Sequence, residues 1–338
     1  TLISSTVFLL RAFIFKHPFD IVKKFTIYIL PQIFQFSIYI LIYIYKIMAF
    51  VVNTLPDYVE QRKGELLQKA VLDFETRKYV NLMTGVKYKE ALNILATDPV
   101  LQTRTCGFDA SGNVSFTQRV MTVAPYKVNM SLCEEDLRKK WMNDQIIVKA
   151  GGEVLPFEEK ITNNIVEKVN NQLENLIWNA TDASNGFDGL LTIANAEADV
   201  IDASKGASDY ETALNVYKAI PAEILGKAEI FVGEDAFRSI VLEITAKNLY
   251  HYNPEVDSAK TIILPGTNTK LHGVAGLIGK GQMLAADPEN LFYGVDMADD
   301  AETFDLWYSK DNQEFRLAIK FNAGAQVAFP DQIVVSEK

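Results

Sequence analysis

The sequence predicts an α+β fold, and three observations carry that expectation. Residues 156–180 form a long stretch with helical spacing of apolar side chains. Residues 101–130 look like an extended β-hairpin around a turn cluster, and strand-like text dominates from residue 261 onward. Helices come first and strands last, the order of an α+β chain rather than an alternating α/β one. With 338 residues, 49% hydrophobic and 22% charged, the chain can build one large core or two medium ones, and intrinsic disorder is excluded.

In the segment 55–80, Pro56-Asp57 can open a helix, and Leu66, Leu67, Ala70, Val71 and Phe74 recur at helical spacing. Residues 81–100 are mixed and end at the turn signal Asp98-Pro99. The hairpin is predicted to run out along Leu101–Phe108, turn at Asp109–Asn113 and return along Val114–Val123. It carries little apolar surface, and a two-stranded arm is marginal alone, so it needs a neighbour to lie on. Tyr126–Cys133 alternates as a strand, Cys133–Trp141 turns helical, and Gly151-Gly152 breaks the chain.

Pro156–Ala180 is the strongest single element. Ile161, Ile165, Val169, Leu173, Leu176 and Ile177 make one stripe, and Pro156 suits a first turn. At 1.5 Å per residue the rod is about 36 Å long. A loop, Asp182–Gly189, follows. A second helix spans 208–225, capped by Ser208 or Asp209 and kinked or split at Pro221. Ala228–Val232 reads as a buried strand and Glu234–Tyr250 as a third helix. The predicted strands after that are Thr261–Leu264, Lys270–Val274, Gln282–Ala285, Leu291–Tyr293, Thr303–Tyr308, Phe315–Ala323 and Gln326–Val335.

Charge and motifs exclude more than they suggest. The net charge of −10 argues against a basic nucleic-acid binder. Two cysteines, Cys106 and Cys133, rule out a disulfide-dense scaffold and a four-cysteine zinc site. Three histidines, His17, His251 and His272, leave little room for a histidine metal cluster. The glycine-bearing run Gly273–Gly281 fails the phosphate-loop spacing, because Gly281 stands where Ser or Thr is needed, and it fails the dinucleotide fingerprint too. Asp299, Asp300, Glu302 and Asp305 form an acidic run best read as a solvated loop. No G-x-S-x-G and no H-E-x-x-H occurs. Trp141, Trp178 and Trp307 are expected in the core or at an interface. No catalytic residue, cofactor or metal is expected. A hairpin, a rod helix and no chemistry together suggest an assembly protein.

Residues 1–47 differ from the rest, with 11 Ile, 7 Phe, no Gly, no Glu and a charge of +4, which leaves −14 for the remainder. Phe25–Tyr45 is 21 residues without a formal charge, flanked by Lys23, Lys24 and Lys46. Taken literally that is a membrane span. Pro31, Gln32, Gln35 and Ser37 weaken it, and the Ile, Phe, Tyr and Lys content is that of AT-rich codons. The expectation is that 1–47 is upstream translation before Met48, with a membrane anchor as the rival.

The order of elements in 48–338 resembles tailed-phage major capsid proteins of the Hong Kong 97 type. The resemblance rests on the hairpin, the rod helix and the closing text Phe315-Arg-Leu-Ala-Ile-Lys-Phe-Asn-Ala-Gly-Ala-Gln-Val-Ala-Phe-Pro330. It rests also on Ile220-Pro-Ala-Glu-Ile, Ile230–Arg238 and Leu264-Pro-Gly. It implies an N-terminal arm at 48–100 and an E-loop at 101–130. It implies a peripheral domain at 131–188 with the spine helix 156–180, a mainly axial domain at 189–300, and closing strands at 301–338 shared by both domains. The implied function is a non-enzymatic subunit whose pentamers and hexamers tile an icosahedral head of a phage or prophage around double-stranded DNA, held without sequence specificity. The implied partners are the chain itself and scaffolding, portal and decoration proteins. There would be no membrane partner if 1–47 is upstream translation. The location is the virion capsid, and the host cytoplasm during assembly. The implied neighbour contacts on the E-loop are Arg104, Phe108, Asn113, Phe116 and Arg119. The predicted tip holds no lysine, so no lysine–asparagine crosslink is expected. An encapsulin-type nanocompartment shares this fold and is the alternative, with a membrane-anchored surface protein if 1–47 is real.

Overall fold

The computed structural model describes residues 54–104, 106, 112–137, 139–140, 157–247, 249, 260–296 and 303–338. The chain divides into two units, Thr1–Val52 and Asn53–Lys338, and every described residue belongs to the second. The expectations for 1–47, Trp141, His251 and the acidic run 299–302 fall outside the described residues. No described helix is long and apolar enough to cross a membrane.

Helix α1, Thr54–Leu72, buries Leu55, Val59, Leu66, Ala70 and Val71 and kinks at Arg62. A 3₁₀ turn, Glu75–Tyr79, leads into strand β1, Asn81–Thr84. Then come β2, Lys89–Pro99, β3, Gly112–Thr122, and β4, Ala124–Cys133. Helix α2, Phe157–Asn179, is the expected rod. It has no internal Gly or Pro, and Ile165, Val166, Val169, Leu173, Ile177 and Trp178 are its buried stripe. A one-turn helix α3, Asp182–Asn185, ends at Gly186, whose φ of 81° needs glycine.

Next are α4, Leu190–Ala196, β5, Ile201–Ala203, and α5, Asp209–Ala219. Ser208 caps α5, its side chain accepting from Glu211 N. Of the two outcomes expected at Pro221 the structure shows the split: the helix ends at Ala219 and the chain from Pro221 onward is a turn. Strand β6, Glu229–Gly233, runs straight into α6, Glu234–Ala246, which is shorter than the predicted 234–250. The remaining strands are β7, Thr261–Ile263, β8, Lys270–Val274, β9, Leu284–Ala286, β10, Leu291–Val295, β11, Thr303–Ser309, β12, Glu314–Val327, and β13, Val334–Ser336. The glycine run after β8 is a 3₁₀ turn, Ala275–Leu277, in keeping with its failed phosphate-loop spacing.

Two sheets carry these elements. The first is organised by β12: β4 pairs along one side of it, while β11 and then β10 pair along the other. β1 joins the far edge of β10 in parallel. Phe304, Leu306, Phe315, Leu317 and Ile319 are buried, and α1 packs against β11 and against α2. The second sheet has the order β5-β13-β9-β6-β8-β7. Its core takes Tyr210, Ala213 and Val216 from α5 and Phe237, Ile240 and Ile244 from α6.

Several expectations need correction. The strands are not all late or antiparallel, since β1–β10, β5–β13 and β6–β8 are parallel pairs. The hairpin's outgoing strand is Lys89–Pro99 and not Leu101–Phe108, and Leu101–Arg104 lies outside any strand. Burial decides this: Leu92 is buried in the same cluster as Met121, which selects 89–99 as the partner of β3. Finally, 314–327 is one strand: Gly324 stays in the ladder opposite Gly294, and it is glycine there because a Cβ would collide with Thr122 O.

Candidate inter-subunit surface

The hairpin β2–β3 is a two-stranded sheet of its own among the described residues. Its register runs from Lys89↔Thr122 to Pro99↔Gly112. Its root is locked to the first sheet. Val86, Leu92, Met121 and Val123 form a buried cluster with Met83 and Phe292 against it. Met121 occupies the space that a Cβ on Gly294 would need. Gln326 Nε2 donates to Val120 O at 2.8 Å, and Val123 N to Tyr88 O at 2.9 Å.

The period of two then separates two faces. Leu92 and Met121 point to the body, and their neighbours point away from it. On the outward face Leu95 lies opposite Phe116, Asn93 opposite Gln118, and Ala91 opposite Val120. Gln118 Nε2 donates to Asn93 Oδ1 at 2.8 Å, tying the middle row. Phe116 is 79% exposed and Leu95 54%. Six of the eleven large apolar side chains exposed among the described residues, Tyr88, Leu95, Val100, Leu101, Phe116 and Val120, sit on this arm or its base, which makes it the main exposed apolar patch of the described residues.

Of the five residues predicted to make neighbour contacts, Phe116 stands on the outward face and Arg104 is exposed on the loop beyond β2. Phe108 and the side chain of Asn113 lie outside the described residues. Arg119 faces the body, where its Nη2 pairs with Glu197 Oε1 of the same chain. Sequence reasoning missed Tyr88 and Leu95, because 81–100 carried no clean alternation. Their signal was the pairing of that segment with 112–122.

Two buried polar clusters tie the body together. Glu174 on α2 is 3% exposed and accepts from Thr76 N at 2.8 Å, from Thr76 Oγ1, and from Trp178 Nε1 at 3.3 Å. Trp178 Nε1 also donates to Thr76 Oγ1 at 2.7 Å. Burial raises the Glu174 carboxyl above its ordinary range, and the three donors only partly offset this. Gly276 lets the turn after β8 close onto Trp178, since a Cβ there would strike the indole. In the second sheet His272 is buried, with Nε2 2.9 Å from Glu229 Oε2 and Nδ1 3.0 Å from Thr261 Oγ1. Burial opposes ionisation of Glu229, but His272 and Lys270 outweigh it and hold that carboxyl low. Each cluster joins elements distant in sequence and is closed by its own hydrogen bonds.

Cys106 and Cys133 are free and exposed. Among the described residues no group of three His, Cys, Asp or Glu could hold a metal ion.

No protein-family model matches this sequence, and no curated protein matches it. Solved structures do. A chain of the satellite phage P4 procapsid, in a structure that includes the size determination (Sid) protein, is similar with a TM-score of 0.54 at 13% identity, covering 86% of this chain and 91% of that one. A chain of Microbacterium phage Oxtober96 has a TM-score of 0.52 at 13% identity, over 78% and 90% of the two chains. A chain of the capsid of an empty GTA particle has a TM-score of 0.51 at 10% identity, over 79% and 89%. At such identities the likeness is one of fold, and the fold is that of phage capsid proteins. In type it is the Hong Kong 97 capsid fold that the order of elements resembles.

Proposed function

We propose that this chain is the major shell subunit of a tailed-phage or prophage head, forming pentamers and hexamers that close into an icosahedral shell around double-stranded DNA. One observation carries the reading: on a capsid fold, an arm rooted in the first sheet holds a bare apolar face away from its own body. A second copy of the chain is the occupant that suits it, because a repeated subunit supplies both the arm and the surface under it at matched concentration. In this reading β2–β3 is the E-loop, α2 with the first sheet is the peripheral domain, and the second sheet with α5 and α6 is the axial domain. Scaffolding, portal and decoration proteins are the further partners, and assembly takes place in the host cytoplasm. The role is structural, and no reaction is assigned.

Negative-stain electron microscopy of the full chain and of residues 48–338 tests this. Uniform closed shells or hexameric rings are the expected result. Nuclease-protected DNA in shells isolated from the native source would separate a head from an encapsulin-type compartment, which would hold protein cargo. Particles that stay monomeric at all concentrations, with and without a co-expressed scaffold, would sink the reading.

A further inference from the structure

We infer that the Arg119–Glu197 ion pair sets the angle at which the hairpin leaves the body, which makes Arg119 a positioning residue for assembly and not a contact to the neighbour. The inference rests on the shell function proposed above.

The root is held by the first sheet, through Met121 in the space beside Gly294 and Gln326 on Val120 O. The clamp is held elsewhere, because Glu197 follows α4 and leads into β5 of the second sheet. Its turn is itself fixed. Glu197 N bonds Ile193 O at 3.0 Å, Lys338 Nζ donates to Glu197 O, and Asn195 Nδ2 lies 3.2 Å from Gln282 Oε1. The arm therefore leaves the first sheet and is stopped against the turn between α4 and β5.

Beyond the clamp row, Leu92↔Arg119, the ladder continues from Asn93↔Gln118 to Pro99↔Gly112. Those seven rows reach about 23 Å at 3.3 Å per residue. A swing of about 10° at the clamp would move the far row by about 4 Å, which is the whole range of an apolar contact. The Leu95↔Phe116 row lies three rows past the clamp, about 10 Å out, so the same swing carries it by roughly 2 Å, half the range of an apolar contact, and the clamp bears on what these side chains can reach. The side chain alternation adds orientation, since Arg119 and Phe116 are on opposite faces and a pinned Arg119 turns Phe116 outward.

The pair also has an electrostatic reason to stay closed. The Arg119 and Glu197 side chains are only 22% and 34% exposed, and Arg119 Nε is buried without a hydrogen-bond partner. A half-buried guanidinium with one unused donor depends on its carboxylate, and losing it favours movement of the arm toward water.

The test uses full-length chain and its two exposed native thiols. Spin labels on Cys106, beyond β2, and Cys133, at the end of β4, report the arm-to-body distance in dissociated subunits by pulsed electron resonance. Wild type is expected to give one narrow distance. Glu197→Gln and Arg119→Glu should broaden or shift it, leave the melting temperature near wild type, and lower shell yield by about tenfold or more, the effect of about 1.4 kcal/mol per subunit. The swapped pair, Arg119→Glu with Glu197→Arg, should recover both readouts, as should Arg119→Lys in part. Unchanged distances and yields in both single variants, or no recovery in the swap, would overturn the inference. A narrow wild-type distance that broadens in the two variants, in a chain that never forms shells, would overturn the shell reading and keep the clamp.

Discussion

Trp178 and Phe116 are both large aromatic side chains on regular elements, and their surroundings are opposite. Trp178 is fully buried, with its indole N–H donating to Thr76 and Glu174 and its ring packed over Gly276 and beside Phe231. Phe116 is 79% exposed and faces only Leu95 across the hairpin. Around Trp178 the chain satisfies every interaction by itself. Around Phe116 the described residues leave apolar surface bare. On the proposed shell function, stability and assembly are written in separate parts of this molecule, the first along α2 and the second along β2–β3.

Three substitutions would break or sharpen that contrast. Trp178→Ala should destabilise the isolated subunit by about 3–5 kcal/mol, as emptying a large buried aromatic site does, measured by denaturant unfolding. A loss under about 1 kcal/mol would mean that the region around α2 is not the stabilising centre.

A smaller effect is expected from Glu174→Gln, read as a pH dependence. Burial raises the folded-state pKa of Glu174 above its ordinary value. The folded chain then holds that proton more tightly than the unfolded chain does, so the contribution is greatest below the ordinary glutamate range, near 4.3, and is lost as pH rises through the raised folded value. Removing the carboxylate should flatten the decline in unfolding free energy on that alkaline side. Glu229, held low, contributes in the opposite sense, so the difference between variant and wild type is what isolates Glu174. Parallel stability curves for the two proteins would contradict the buried-carboxylate description.

The smallest change in stability belongs to Phe116→Ser, within about 0.5 kcal/mol of wild type as for an ordinary surface site. Sedimentation of the same protein should nevertheless show a loss of shells. If stability fell and assembly stayed, the two regions would have exchanged roles.

The same contrast explains what was legible in the sequence. The predicted rod, 156–180, matches α2 to within a residue at each end, because an uninterrupted apolar stripe is a local signal. Ser208 was readable as a cap and 228–232 as a buried strand for the same reason. Pairings that depend on distant residues were not. β1 joins β10 across some 210 positions, and no local pattern in Asn81–Thr84 announces it. The outgoing strand of the hairpin was misplaced because Asp98-Pro99 looks like a turn, whereas Pro99 closes the last row of the ladder opposite Gly112. Arg119 looked like a contact for a neighbour because its partner, Glu197, is 78 positions away.

The placement of β13 has a consequence for the timing of synthesis. This strand sits inside the second sheet, between β5 and β9, yet it is made some 130 residues after β5. At 5–20 residues per second that is a wait of about 7–26 s, during which β5 has no strand beside it, and β9, once made, lacks one neighbour for the last part of it. A nascent chain on the ribosome is therefore short of a finished second sheet while its hairpin and rod helix are already complete in sequence. If the chain builds shells as proposed, a subunit completes its second sheet only once translation has passed Ser336, and half-made subunits on one polysome lack that finished sheet.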